Sequence, residues 1–194
     1  MRQSLDLVSV IVTTKNNSAT IEACLASIKA QTYPAVELII VDNSSTDDTV
    51  PKAQKYTNTV CSRGPERSAQ RNFGVSISRG KYVLIIDSDM QLSKHVIEQC
   101  IDSVSDKSCA IIIPEESFGI GFWARCKTLE RSFYNGVEWI EAPRFFSKNT
   151  YERVGGYNEK MVGGEDWDLH DRVKDVTKVS RISAVIHHDE GSLS

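Results

Sequence analysis

Residues 8–14 read Val-Ser-Val-Ile-Val-Thr-Thr, a run in which nearly every position is apolar or β-branched. A strand with one wet face would alternate. This run suits a strand buried on both faces, and such strands belong to parallel sheets covered by helices. Val36–Val41 and Lys81–Ile86 repeat the pattern. Between these runs, apolar residues recur at helical spacing: Ile21, Leu25 and Ile28, then Ala69, Phe73 and Ile77. Strand and helix patterns in alternation predict an α/β fold.

The 194 residues suit one domain with one core. Hydrophobic residues at 40% and charged residues at 25% exclude disorder, collagen and coiled coil. A net charge of −3 provides no global field for nucleic acid, so any polyanion site must be a local patch. No apolar run approaches the roughly 18–20 residues of a spanning helix. The start lacks the apolar core of a signal peptide. Cysteines 24, 61, 100, 109 and 126 are odd in number and form no CxxC pair, which fits reduced thiols in a cytoplasmic protein. The chain stops at Gly191-Ser192-Leu193-Ser194 without a closing element and is expected to be the front part of something longer.

Further elements follow from the same rules. Ser18 can cap the first helix, and the acidic turn after Val41 leads into a helix through about Tyr56. Thr57–Cys61 reads as a short strand, and the helix carrying Ala69 ends at Arg79-Gly80. Ser93 can cap a helix over 94–103, and Ala110–Ile113 is a strand. Residues 115–141 are aromatic and charged, with a helix expected over about 120–135. Pro143–Phe146 is expected as a strand, 148–154 and 165–174 as helices, and Arg181–Ile186 as the last strand.

Four constellations carry possible chemistry. Asp87-Ser88-Asp89 sits where a buried strand exits at its carboxyl end, the edge at which open α/β sheets bind ligands. Paired carboxylates there suit a hard cation such as Mg²⁺ or Mn²⁺; the plainer reading is a solvated turn. A calcium loop starting at Asp87 is rejected, because Leu92 stands where the sharp turn needs glycine. Arg67 and Arg71 lie four apart on one helix, where like charges repel unless an anion sits between them. Guanidinium forks suit phosphate, while Glu66 could serve as a local counter-ion. Gly163-Gly164-Glu165-Asp166 puts acids at a helix start, as caps or as a general base. His187-His188-Asp189-Glu190 follows the last strand, where histidine can complete a cation's shell or simply end a polar strand. GxxxxGK[ST], GxGxxG and GxSxG are all absent, which counts against ATPase, dinucleotide oxidoreductase and α/β-hydrolase readings.

In this order the features resemble the family-two inverting glycosyltransferases. Val8–Asn17 is similar to that family's opening strand and nucleotide-binding turn, and Glu37–Ser45 to its second strand and acidic turn. Ala69–Gly74 resembles the helix before the metal strand, and Gly80–Asp89 the DxD strand itself. Gly155-Gly156-Tyr157-Asn158-Glu159 and Glu165-Asp166 match the acceptor-side elements. The resemblance implies a single GT-A domain, α/β with a mixed, mainly parallel sheet flanked by helices. It further implies a nucleotide-sugar half over about 1–114 and an acceptor half over about 115–194.

The resemblance also implies roles. Thr13, Asp42 and Asn43 would contact the nucleoside, where Asn43 replaces a frequent aspartate and leaves the base preference open. Arg67, Arg71, Ser88 and Glu165 would lie on the nucleotide-sugar side. Asp87 would serve ribose or metal, Asp89 the metal, and His188, or else His187, would help hold metal and diphosphate. Asp166 would be the general base. The implied activity is transfer of a sugar from a UDP- or GDP-type donor to the hydroxyl of a glycan, lipid-linked or other acceptor, with Mg²⁺ or Mn²⁺ and no nucleic acid. Lipid-linked acceptors would place the protein at the membrane surface. Trp123, Phe133, Tyr134 and Trp139 would shape the acceptor side, or are plain core. Two rival readings are a nucleotidyltransferase acting on a sugar phosphate, whose glycine-rich opening loop is missing here, and a non-catalytic nucleotide-sugar-binding module.

Overall fold

The β-branched runs become the centre of a sheet. In the computed structural model, which describes residues 5–105, 108–134, 136–137 and 141–192, β1 (Val8–Thr14) is buried at all seven positions. It lies between β2 (Val36–Asp42) and β4 (Tyr82–Asp87), parallel to both. With β3 (Val60–Ser62), β6 (Ser108–Ile112), β8 (Phe145–Ser147) and β9 (Lys178–Arg181) they form a seven-stranded sheet of order β3-β2-β1-β4-β8-β6-β9. β8 is antiparallel to both its neighbours, β4 and β6, and the other pairings are parallel. The mixed, mainly parallel α/β sheet expected from the sequence is therefore present.

Two cores cover the two faces. Val8, Val10 and Val12 of β1 point into one, with Leu25 and Ile28 of α1 (Ile21–Lys29) and Ile97 and Cys100 of α4 (Val96–Ser103). Ile11 points into the other, with Val75 of α3 (Arg67–Ile77), Tyr151 of α6 (Lys148–Arg153), and Leu169 and Val173 of α7 (Glu165–Lys174). The short α2 (Thr49–Ala53) follows β2.

A second sheet was not legible beforehand. It has the order β5-β10-β7, made of β5 (Met90–Leu92), β10 (Ile186–Ser192) and β7 (Glu115–Ile120). The expected last strand over 181–186 is instead split: β9 ends at Arg181 and β10 begins at Ile186. Residues 115–141 begin as strand β7 before α5 (Phe122–Ser132) takes over. Trp139 lies outside the described residues.

Other local expectations shift. Ser18 does not cap α1; Thr20 precedes the helix, and its hydroxyl donates to the Ser88 carbonyl at 2.9 Å. Ser93 does not cap α4, since its Oγ accepts from Val185 N at 3.1 Å. Of the expected face of α3, Ala69 is buried and Phe73 packs half-buried against the core, but Ile77 is 38% exposed, and Ser68, Gln70, Arg71, Gly74 and Val75 complete the buried side. Gly74 explains the turn of the helix: a Cβ there would overlap Ile11 and sit 3.2 Å from Val41, so only glycine lets α3 lie this close to the sheet.

Candidate active site

The strand order reverses around β1, and ligands in open α/β sheets bind at the carboxyl ends of strands at that point. Here the parallel register sets Thr13 opposite Asp87, and Thr13 Oγ1 donates to Asp87 Oδ1 at 2.7 Å. A cavity of about 580 Å³ opens beside this pair. Its walls include Arg67, Arg71, Asp87, Glu115, Asp166 and His188.

Arg71 organises the site. Its side chain is only 1% exposed. Nη2 reaches Asp87 Oδ2 at 3.1 Å, Nη1 reaches Asp166 Oδ1 at 3.1 Å, and Glu165 Oε1 lies 3.6 Å away. The guanidinium also stacks on the Tyr157 ring, 4.7 Å from its centroid. Burial alone would weaken the charge of Arg71, but Asp87, Tyr157 and Asp166 outweigh it and hold its pKa well above the usual arginine value. Asp87 shows the converse. Burial pushes its pKa up, while Arg71, Arg144 and the Thr13 hydroxyl pull it well below the usual carboxylate range. The anion between Arg67 and Arg71 comes from the chain itself, since Arg67 Nη2 also approaches Glu165 Oε1, at 3.7 Å.

The second sheet supplies the opposite wall. β10 pairs antiparallel with β5, setting His188 opposite Met90, and Asp189 N donates to the Asp89 carbonyl at 2.9 Å. His188 Nε2 thereby lies 3.4 Å from Asp89 Oδ2. His187, one residue earlier, faces the other way, toward Glu116 at 3.7 Å. Burial disfavours the His188 imidazolium, but Asp89 and Glu115 outweigh it and push the pKa up to about 9. Arg131 Nη1 lies 2.7 Å from His188 Nδ1, and Arg131 Nε is itself ion-paired with Glu190 Oε1 at 2.9 Å. Asp89 Oδ1 is buried with no hydrogen-bond partner among the described residues. The two acids of Asp87-Ser88-Asp89 thus diverge, Asp87 toward Arg71 and Asp89 toward His188. No group of three His, Cys, Asp or Glu side chains among the described residues forms a ready-made metal cluster.

Of the remaining candidates only Asp166 lines the cavity; Asp42, Asn43 and Ser88 are held by hydrogen bonds within neighbouring loops. Asp42 is 4% exposed and accepts from Ser45 N and Oγ. Asn43 Nδ2 donates to the Pro65 carbonyl at 2.6 Å. Ser88 is buried and accepts from Asn17 Nδ2 at 2.7 Å. Asp166, in the first turn of α7, keeps a 37% exposed side chain, and Gly164 makes that turn possible at φ 76°.

Two contributors had no role implied by the sequence. The Tyr157 hydroxyl donates to Asp166 Oδ1 at 2.9 Å. Arg144 is half-buried and paired with Glu115, whose pKa falls to about 2 because Arg144 and His188 outweigh its burial. Each of these pairs spans many residues or two elements, so spacing could not reveal it.

Against known families, residues 9–157 match the model of Glycosyl transferase family 2. The chain belongs to this family. It is 36% identical over 90 residues to WfaP of Escherichia coli, a UDP-Glc:alpha-D-GlcNAc-diphosphoundecaprenol beta-1,3-glucosyltransferase, covering 44% of this chain and 36% of that one. The family-2 chain therefore spans well under two thirds of such a relative. Its fold matches the 1–349 segment of Staphylococcus aureus TarS in complex with UDP-GlcNAc, with TM-score 0.77, 20% identity, and coverage of 97% of this chain and 60% of TarS. It also matches mannosyltransferase PcManGT of Pyrobaculum calidifontis in complex with GDP-Man and Mn²⁺, with TM-score 0.73, 18% identity, and coverage of 97% and 57%.

Proposed function

We propose that the chain transfers a sugar from a UDP- or GDP-type donor to an acceptor hydroxyl, in one displacement that inverts the anomeric carbon. One observation carries this reading. A single buried guanidinium, Arg71, holds the strand-end acid Asp87 and the helix acid Asp166 at 3.1 Å each, on one cavity. An acceptor hydroxyl is a weak nucleophile at neutral pH. Asp166 takes its proton as the acceptor oxygen bonds to the anomeric carbon. The bond from that carbon to the diphosphate breaks, and its electron pair leaves with the nucleoside diphosphate. Residues 1–114 serve the donor, with Thr13, Asp42 and Asn43 at the nucleoside end and Arg67, Arg71, Asp87 and Ser88 nearer the sugar diphosphate. Residues 115–194 serve the acceptor, a glycan or lipid-linked hydroxyl, and contribute Glu165 to the donor side.

The unpartnered Asp89 Oδ1 and the facing His188 Nε2 suit Mn²⁺ or Mg²⁺. Asp89 and His188 would hold such an ion, and Asp87 would join by loosening its contacts with Arg71. The bound cation supplies electrostatic stabilisation of the leaving diphosphate.

Thermal-shift titrations with UDP-glucose, UDP-GlcNAc and GDP-mannose, with and without Mn²⁺, test the donor. At least one donor should raise the melting temperature. Asp166→Asn should lose transfer while keeping that shift. No shift with any donor, or equal loss of binding and transfer in Asp166→Asn, would count against the reading.

A further inference from the structure

The register of the second sheet sorts two doublets. β7 begins Glu115-Glu116 and β10 carries His187-His188, and successive strand residues point to opposite faces. The parallel pairing sets Glu115 opposite Ile186 and Ser117 opposite His188, so Glu115 and His188 share one face on the diagonal. Glu116 and His187 share the other. Glu115 Oε2 thereby lies 3.8 Å from His188 Nδ1. Its other oxygen, Oε1, is taken by Arg144 Nε. Helix α5 brings a second group to the same ring atom, Arg131 Nη1 at 2.7 Å.

These two neighbours have opposite character. A carboxylate offers only acceptors and a guanidinium only donors. On the far side of the ring, Nε2 faces Asp89 Oδ2 at 3.4 Å, where the cation is proposed. When a histidine gives its Nε2 lone pair to a metal ion, its ring hydrogen sits on Nδ1 and needs an acceptor. Glu115 meets that need. Arg131 opposes it, as donor against donor and as charge against charge. Arg131 also has a second partner, since its Nε pairs with Glu190 Oε1 at 2.9 Å.

We propose that Glu115 is a positioning residue that orients His188 for a divalent cation, and that Arg131 competes with it for His188 Nδ1 and holds the site against the cation. Cation binding then requires Arg131 to leave Nδ1 and Glu115 to take it. This rests on the proposed cation site at Asp89 and His188, and not on the identity of donor or acceptor.

The test is addition of Mn²⁺ alone to the 194-residue chain, with free Mn²⁺ counted by electron paramagnetic resonance. Glu115→Gln should weaken Mn²⁺ binding by about tenfold or more. Arg131→Gln should tighten it by about threefold or more. Glu130→Gln removes a carboxylate from the same cavity wall, one that meets the Tyr134 hydroxyl instead of His188, and should change affinity by less than about twofold. Opposite signs at one ring atom separate positioning from damage to the fold, which would weaken both variants. Melting curves in EDTA check the fold directly. Equal affinity in wild type and either Glu115→Gln or Arg131→Gln, weaker binding in Arg131→Gln, or a loss in Glu130→Gln as large as in Glu115→Gln overturns this proposal alone. A wild-type chain that binds no Mn²⁺, or whose affinity Asp89→Asn leaves unchanged, overturns the cation site and this proposal together.

Discussion

The Tyr157 hydroxyl and the Arg71 guanidinium converge on one oxygen of Asp166, at 2.9 and 3.1 Å. Oδ1 is thereby fixed, and no contact to Oδ2 is found among the described residues. Burial raises the Tyr157 pKa far above the usual phenol range, so the group stays a donor. Tyr157→Phe should lower kcat roughly tenfold by loosening the carboxylate, with donor KM unchanged. Tyr151 supplies the comparison. Its hydroxyl donates to Asn72 Oδ1 at 2.7 Å, away from Asp166. Tyr151→Phe should lose a similar stability, about 1 kcal/mol, and keep its turnover.

Arg71 compensates three carboxylates at once. Arg71→Leu would leave buried negative charge uncompensated. Urea denaturation should show a loss of about 3–5 kcal/mol, far more than the same change at exposed Arg67.

Asp89, just before β5, and His188 of β10 face each other at 3.4 Å. Asp89→Asn and His188→Ala should each abolish a Mn²⁺-dependent rise in melting temperature. Equal Mn²⁺ response in wild type and both variants would place the cation elsewhere or nowhere.

Acid stability should depend on Asp47. Its carboxylate accepts from the Thr49 hydroxyl and amide and from Ser18 N, joining the loops after β2 and β1. The Thr49 hydroxyl leads in lowering its pKa from 3.8 to about 2. A lowered folded-state pKa means stability that is complete above 3.8 and is lost as pH falls toward about 2. Asp47→Ala should therefore destabilise at neutral pH, and the gap from wild type should close across that window in urea melts.

Gly74→Ala tests how closely α3 approaches the sheet. The added methyl meets Ile11 and Val41 in the core, so a loss of about 1–3 kcal/mol is expected. Gly163→Ala, where a Cβ meets nothing within 4 Å, should cost much less in the same assay.

What the chain's own pattern determined is its local order. The runs of β-branched residues specify β1 from Val8 to Thr14, and the acidic start with apolar spacing specifies α7 from Glu165 to Lys174, because burial on two faces and helical period are both written within a few residues. The candidate acids Asp87, Asp89 and Asp166 were legible for the same reason: each ends or begins such an element. The tertiary structure alone decided what these acids touch. β7 reads Glu-Glu-Ser-Phe-Gly-Ile and β10 begins Ile-His-His-Asp-Glu, too polar to announce strands, and each is stabilised by its partners in the second sheet. That pairing sets His188 against Asp89, and the fold sets Arg71 against Asp166 across 95 positions of chain. Contacts of such separation depend on sheet register and helix packing, which no short window of sequence encodes.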